Sequence, residues 1–150
     1  HFGFPFFYYP LKLEGWYKYK AGADFSSKGE IIEGRKDKCD IYGVLYETDD
    51  NVQFLDGSTS LTSPNIVALA RNLDALPETD NWKQFSFNFE PKNGKSIDSN
   101  KLEKGIYKLA IVFSSSVDGA KFEGAVGSTL YIDKVTINHT SNPNEYPVNQ

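Results

Sequence analysis

The stretch Cys39-Asp40-Ile41-Tyr42-Gly43-Val44-Leu45-Tyr46-Glu47 decides the fold. Its apolar residues fall on both faces of a period-two pattern, as in a central strand of a sandwich. Working outward, Leu11, Leu13, Tyr17 and Tyr19 alternate with Lys12, Trp16, Lys18 and Lys20. The cleanest alternation is Trp82, Phe85, Phe87 and Phe89, with Ser86 and Asn88 turned out. Tyr107, Leu109, Ile111 and Phe113 follow, and Leu130 to Ile137 closes the set, with Ile66 to Arg71 as a shorter run. Turn signals separate these runs: Asp56-Gly57-Ser58, Asn93-Gly94, Lys104-Gly105 and Asp118-Gly119. Six or seven strands with little room for helix predict an all-β, antiparallel β-sandwich or jelly roll. The expected domain runs over 1–140, and 141–150 reads as a polar, proline-broken tail that either wraps an edge or is disordered. One helical turn is expected at Ser99-Asn100-Lys101-Leu102-Glu103, capped by Ser99 or Asn100 and stopped by Gly105.

A chain of 150 residues can bury roughly 68–70% of its unfolded surface, so no metal or disulfide is required for folding. The one cysteine, Cys39, reads as a small buried hydrophobe. No window approaches the roughly 18 consecutive apolar residues of a membrane span. The net charge of −4 and the scattered basic residues argue against nucleic acid as a partner. The aromatic content stands out: 11 Phe, 9 Tyr and 2 Trp make 15% of the chain. Tyrosine and tryptophan combine an apolar ring with a polar handle and so suit half-exposed ligand platforms.

Enzyme signatures are scarce. The sequence holds no phosphate-binding loop, dinucleotide glycine motif, His-Glu-x-x-His pair or Gly-x-Ser-x-Gly elbow, and its histidines are His1 and His139. Glycoside hydrolysis needs only two carboxylates, about 5–5.5 or about 6.5–9.5 Å apart. Asp40, Asp118, Glu123 and Asp133 are the candidates, each equally readable as a surface or turn carboxylate. Strict alternation puts Asp133 on one face with Tyr131, Val135 and Ile137, and a carboxylate among apolar neighbours needs a hydrogen bond, an ion pair or a cation such as calcium.

The aromatics point to sugars, whose C–H faces stack on flat rings while polar neighbours bond the hydroxyls. Trp16, Lys18 and Lys20 share one strand face, and Asp40, Tyr42 and Tyr46 share another. Were these strands neighbours, an aromatic and charged concave surface would result; the tyrosines alternatively fill the core. Trp82 reads as a core corner. The small, hydroxyl-rich stretch from Ser114 to Ser128 is either a ligand-contacting loop, through Ser115 and Asp118, or a plain crossover.

Four segments carry a family resemblance: Leu13 to Lys20, Cys39 to Glu47, Ala110-Ile111-Val112-Phe113-Ser114-Ser115-Ser116, and Gly127-Ser128-Thr129-Leu130-Tyr131-Ile132-Asp133. They resemble the "putative carbohydrate metabolism domain" family over about Phe2 to Ile137. The resemblance implies a galactose-binding-like jelly roll from secreted, surface or periplasmic glycan-utilisation proteins, often C-terminal to an immunoglobulin-like domain. Some members bear a glycoside hydrolase label, without catalytic residues to carry over. The pattern of Trp82, Gly105-x-Tyr107 and Tyr131-Ile132-Asp133 is also similar to carbohydrate-binding modules, which implies a structural calcium at Asp133.

The expectation is therefore a noncatalytic glycan-binding module, extracellular, surface-bound or periplasmic, with an N-terminal domain of the same protein as a partner. Trp16, Lys18, Lys20, Asp40, Tyr42, Tyr46, Ser115 and Asp118 are its expected ligand contacts. The alternatives are a two-carboxylate glycoside hydrolase, and a structural domain packing on its N-terminal neighbour through Phe6-Phe7-Tyr8-Tyr9.

Overall fold

A computed structural model describes residues 1–148 of the chain. Its strands are β1 (Phe4–Pro5), β2 (Tyr9–Lys20), β3 (Phe25–Ser27), β4 (Glu30–Ile31), β5 (Asp40–Glu47), β6 (Ile66–Arg71), β7 (Thr79–Asn88), β8 (Glu90–Pro91), β9 (Tyr107–Ser114), β10 (Glu123–Ala125) and β11 (Thr129–Thr140). They form an antiparallel sandwich of a five-stranded sheet, β1-β9-β5-β6-β8, against a three-stranded sheet, β11-β2-β7. A small third sheet, β10-β3-β4, sits beside them. The extra strands beyond the sequence expectation span two or three residues each, too short for any periodicity to register.

The core between the large sheets gathers Leu13, Tyr17 and Tyr19 of β2, Ile41 and Leu45 of β5, Phe85 and Phe87 of β7, and Phe89. Two glycines let aromatic rings approach the strands closely. A Cβ on Gly43 would stand 2.8 Å from Phe89 Cζ, and one on Gly15 would stand 2.7 Å from Phe85 Cζ. Such contacts are closer than packed carbons tolerate, so these positions exclude a side chain. A second apolar cluster lies on the other face of the five-stranded sheet, where Tyr42, Val44, Tyr46 and Ala110 meet Leu55 from the loop after β5. β5 is thus apolar on both faces because core lies on both sides of it.

Among the described residues the one α-helix, α1 (Ser99–Glu103), spans the expected turn, but its cap is Asp98 rather than Ser99 or Asn100: the Asp98 carboxylate accepts from Lys101 N at 3.0 Å. Past β11 the tail folds back, and the Tyr146 ring lies 5.9 Å from that of Tyr9. Residues 149–150, the end of the polar tail, lie outside the described residues. Among the described residues no helix is long and apolar enough to cross a membrane.

Burial pushes the Cys39 thiol up from 9.0 to about 12 and the Tyr17 hydroxyl up from 10.0 to about 12. Both groups favour the folded state only while protonated. Their contribution is complete below the pH at which the unfolded chain ionises them and declines as pH rises through about 12. The urea midpoint should hold steady from neutral pH, begin to fall near pH 9 and fall further beyond pH 10. In Cys39→Ala the first decline should disappear, leaving the tyrosine-dependent onset near pH 10.

Candidate functional site

The outer face of the five-stranded sheet is a grid set by strand register. Asp40 and Tyr42 of β5 stand opposite Ser114 and Val112 of β9, and on the other side Tyr42 stands opposite Arg71 of β6. Phe2 and the loop between β5 and β6 cover the part of this face around Val44 and Tyr46. The rest is open, a groove of about 1300 Å³ bounded by Asp40, Tyr42, Arg71, Ser60 and the segment Ser114–Lys121.

Within the groove, Arg71 grips Asp40 with both arms of its fork: Nε donates to Oδ1 at 3.1 Å and Nη2 to Oδ2 at 2.8 Å. The Asp40 side chain is only 4% exposed and that of Arg71 26% exposed. Burying the carboxylate is tolerable because the guanidinium matches it in charge and geometry. The guanidinium carbon also stands 5.7 Å from the centre of the Tyr42 ring. Beyond the ring, the Tyr42 hydroxyl bonds Ser60 Oγ at 2.6 Å. Burial raises the pKa of that hydroxyl, although the Ser60 bond pulls the other way, so it stays protonated at neutral pH. At the rim, Arg35 Nη2 reaches Asp118 at 3.8 Å and Glu123 at 3.4 Å, while Lys121 approaches Asp118 at 3.6 Å.

One wall of the groove, the segment after β9, is moored by a residue that sequence reasoning missed. Asp37 is buried with no cation paired to it among the described residues. Its Oδ2 accepts from Ser116 Oγ at 2.5 Å, Ser128 Oγ at 2.7 Å and Ala125 N at 2.9 Å, and its Oδ1 from Lys38 N at 2.9 Å. Gly22 N in turn donates to Ser128 Oγ at 3.0 Å. The Tyr19 hydroxyl, rising from the inter-sheet core, donates to Ser115 O at 2.7 Å, and Val117 N donates to Lys38 O at 2.8 Å. This stretch is therefore more than a loop: it contains a 3₁₀ turn at Gly119–Lys121 and strand β10, which pairs with β3.

The family described as "Putative carbohydrate metabolism domain" matches residues 1–138. The chain belongs to this family. It is similar to the crystal structure of a putative glycoside hydrolase from Bacteroides thetaiotaomicron, with a TM-score of 0.89 and 48% identity over 93% of this chain. A putative glycoside hydrolase from Bacteroides vulgatus superposes with a TM-score of 0.83 and 43% identity over 92% of this chain. The chain spans 41% of the first and 55% of the second. No curated protein matches it. The segments that carry the resemblance to this carbohydrate domain now have a physical reading, because Ser116 and Ser128 within them are two of the donors to Asp37.

Apart from Tyr46, the expected ligand contacts divide between two surfaces. Asp40, Tyr42, Ser115 and Asp118 do border one groove. Tyr46 does not reach it: the side chain is fully buried, Gly3 lies against its ring, and its hydroxyl donates to the carbonyl of Phe2. Trp16, Lys18 and Lys20 sit on β2, which belongs to the other large sheet. β2 and β5 are not hydrogen-bonded neighbours, so the expected joint surface does not form. Instead Trp16 and Lys18 face outward on the far side of the sandwich, where Lys18 Nζ lies 4.8 Å from the centre of the Trp82 ring. Trp82, read as a core corner, is exposed there. Asp133 faces the same way, because a bulge between Asp133 and Thr136, with Lys134 at φ 52°, reverses the alternation. Val135 and Ile137 consequently pack on the core while Asp133 is exposed. The apolar-face argument for a cation at Asp133 thus loses its premise, and among the described residues no group of three or more His, Cys, Asp or Glu side chains converges. Of the N-terminal aromatics, Phe4, Phe7 and Tyr8 are exposed and Tyr9 is buried.

Asp37→Asn should test the mooring. The amide keeps the shape but has one acceptor oxygen, so its NH2 must face either the three donors that converge on Oδ2 or the Lys38 N–H at Oδ1. A loss of roughly 2–4 kcal/mol in urea unfolding is expected, since hydrogen bonds to a charged group contribute about 1.5–3 each. Tryptic cleavage after Lys121 should accelerate in the same variant.

Proposed function

We propose that the chain is a noncatalytic carbohydrate-binding module whose glycan lies in the groove on the five-stranded sheet. Membership in a carbohydrate domain family supports the ligand class. The observation that carries the noncatalytic reading is that both carboxylates lining the groove are already engaged, Asp40 by Arg71 and Asp118 by Arg35 and Lys121. A glycosidase needs one carboxyl group free to give a proton and another free to attack or to activate water. What the groove offers instead is a fixed set of hydrogen-bonding groups. Arg71 has unused N–H donors once Asp40 is bound, and Ser114 and Ser115 stand along the same groove. Sugar hydroxyls, which donate and accept, suit such a set, and the preformed clamp leaves little to order on binding.

A second reading, a glycoside hydrolase, has one specific feature in its favour. Because both contact the same Arg35 nitrogen, Asp118 and Glu123 carry oxygens no more than about 7 Å apart, a bound within which either hydrolytic spacing can fall. The Arg35 guanidinium contacts both carboxylates, so neither is left unpaired as either mechanism requires. The names of the two solved relatives point the same way, for proteins about twice the length of this chain.

Affinity electrophoresis against plant, host and microbial polysaccharides, with reducing ends assayed in the same samples, separates the two. Retardation without new reducing ends is expected. Arg71→Lys keeps Asp40 paired but loses the fork, and should weaken retardation roughly tenfold. Reducing ends that appear with the native chain and vanish in Asp118→Asn or Glu123→Gln would establish the hydrolase instead.

A further inference from the structure

The outer face of the three-stranded sheet carries an aromatic surface that the groove does not use. Strand register sets it out in two rows. Lys18 of β2 stands opposite Tyr131 of β11, and Trp16 stands between Asp133 of β11 and Gln84 of β7. Trp82 completes the first row: Lys18 Nζ lies 4.8 Å from the Trp82 ring centre and 5.3 Å from that of Tyr131. The ammonium therefore sits between two rings, a favourable arrangement that holds both beside the lysine. The three rings are unusually open, with Trp16 38%, Trp82 44% and Tyr131 55% exposed. Large aromatics clustered on one exposed sheet face mark a binding surface.

The chemistry of the neighbours selects the occupant. A protein-interface core is depleted of charged residues, whereas here Lys18 occupies the centre of one row and Asp133 flanks Trp16 in the other. Alternating rings and polar groups match an amphiphilic ribbon, such as a sugar chain. Its C–H faces meet the electron-rich ring faces while its hydroxyls reach lysine, carboxylate and amide. We propose that this face is a second glycan-binding surface, for a neutral glycan chain lying across Trp16, Trp82 and Tyr131. It lies on the opposite side of the sandwich from the Asp40–Arg71 groove, so the domain can hold two chains at once. Two such sites on one body raise the effective affinity for an insoluble glycan without any new contact.

The sequence supplies a selective probe, because the only tryptophans are Trp16 and Trp82 and both belong to this face. Tryptophan emission reports the platform and is blind to the groove, while calorimetry reports both. The experiment titrates the native chain with hexaoses of β-1,4-linked glucose, xylose, mannose and N-acetylglucosamine, following both signals. At least one hexaose should shift the emission to the blue and protect it from iodide quenching. Tyr131→Ala should weaken that response roughly tenfold or more, and Arg71→Lys should leave it unchanged. Binding heat without any change in emission would overturn the platform while leaving the groove reading intact. Neither heat nor emission change would overturn both. Emission that responds to protein dilution but to no hexaose would also overturn it, assigning the face to contact between copies of the chain.

Discussion

The groove depends on one buried carboxylate. Asp37 accepts four hydrogen bonds, from Lys38, Ser116, Ala125 and Ser128. Through them it joins the approach to β5, the exit of β9, strand β10 and the approach to β11, and Ser128 extends the link to Gly22 beyond β2. An ionised group can be buried when hydrogen bonds replace its water, and here the donors come from segments far apart in the chain. The segment after β9, which walls the groove, is consequently fixed in place before any ligand arrives.

The groove itself follows from unequal covering of the five-stranded sheet. One face of β5 packs on the opposing sheet, and the other is roofed only in part by Phe2 and Leu55. Where the roof stops, a charged residue on the strand needs its own partner, and Asp40 has Arg71 on the neighbouring β6. The same pair that resolves the burial problem leaves a rigid guanidinium edge available to a ligand. The carboxylates along this surface are each within ion-pair distance of a cation, Asp40 of Arg71 and Asp118 of Arg35 and Lys121.

On the far side of the sandwich the constraint is different. The face of β11-β2-β7 turned away from the core leaves Trp16, Trp82 and Tyr131 exposed. Its aromatics are spaced by strand register, and Lys18 lies between two of the rings. Two surfaces of unlike chemistry, one charged and recessed and one aromatic and open, therefore share a single core.

Strand identity was legible from the sequence because side-chain patterning is a local property: β2, β7, β9 and β11 carry period-two alternation, and β5 carries an apolar run on both faces. The face shared by Trp16, Lys18 and Lys20, and that shared by Asp40 and Tyr42, were likewise local facts. The sheet to which each strand belongs is not local: β2 and β5 occupy different sheets, so residues expected side by side stand on opposite surfaces. Alternation also fails wherever a bulge adds a residue, which is why Asp133 points away from Val135 and Ile137. Asp37 left no periodic signal, since its partners lie as many as 91 positions away. By itself the sequence determined the long strands, the all-β class and the family. Only the tertiary structure decided which residues meet, because pairing between sheets and long-range hydrogen bonding depend on chain crossings that no local pattern encodes.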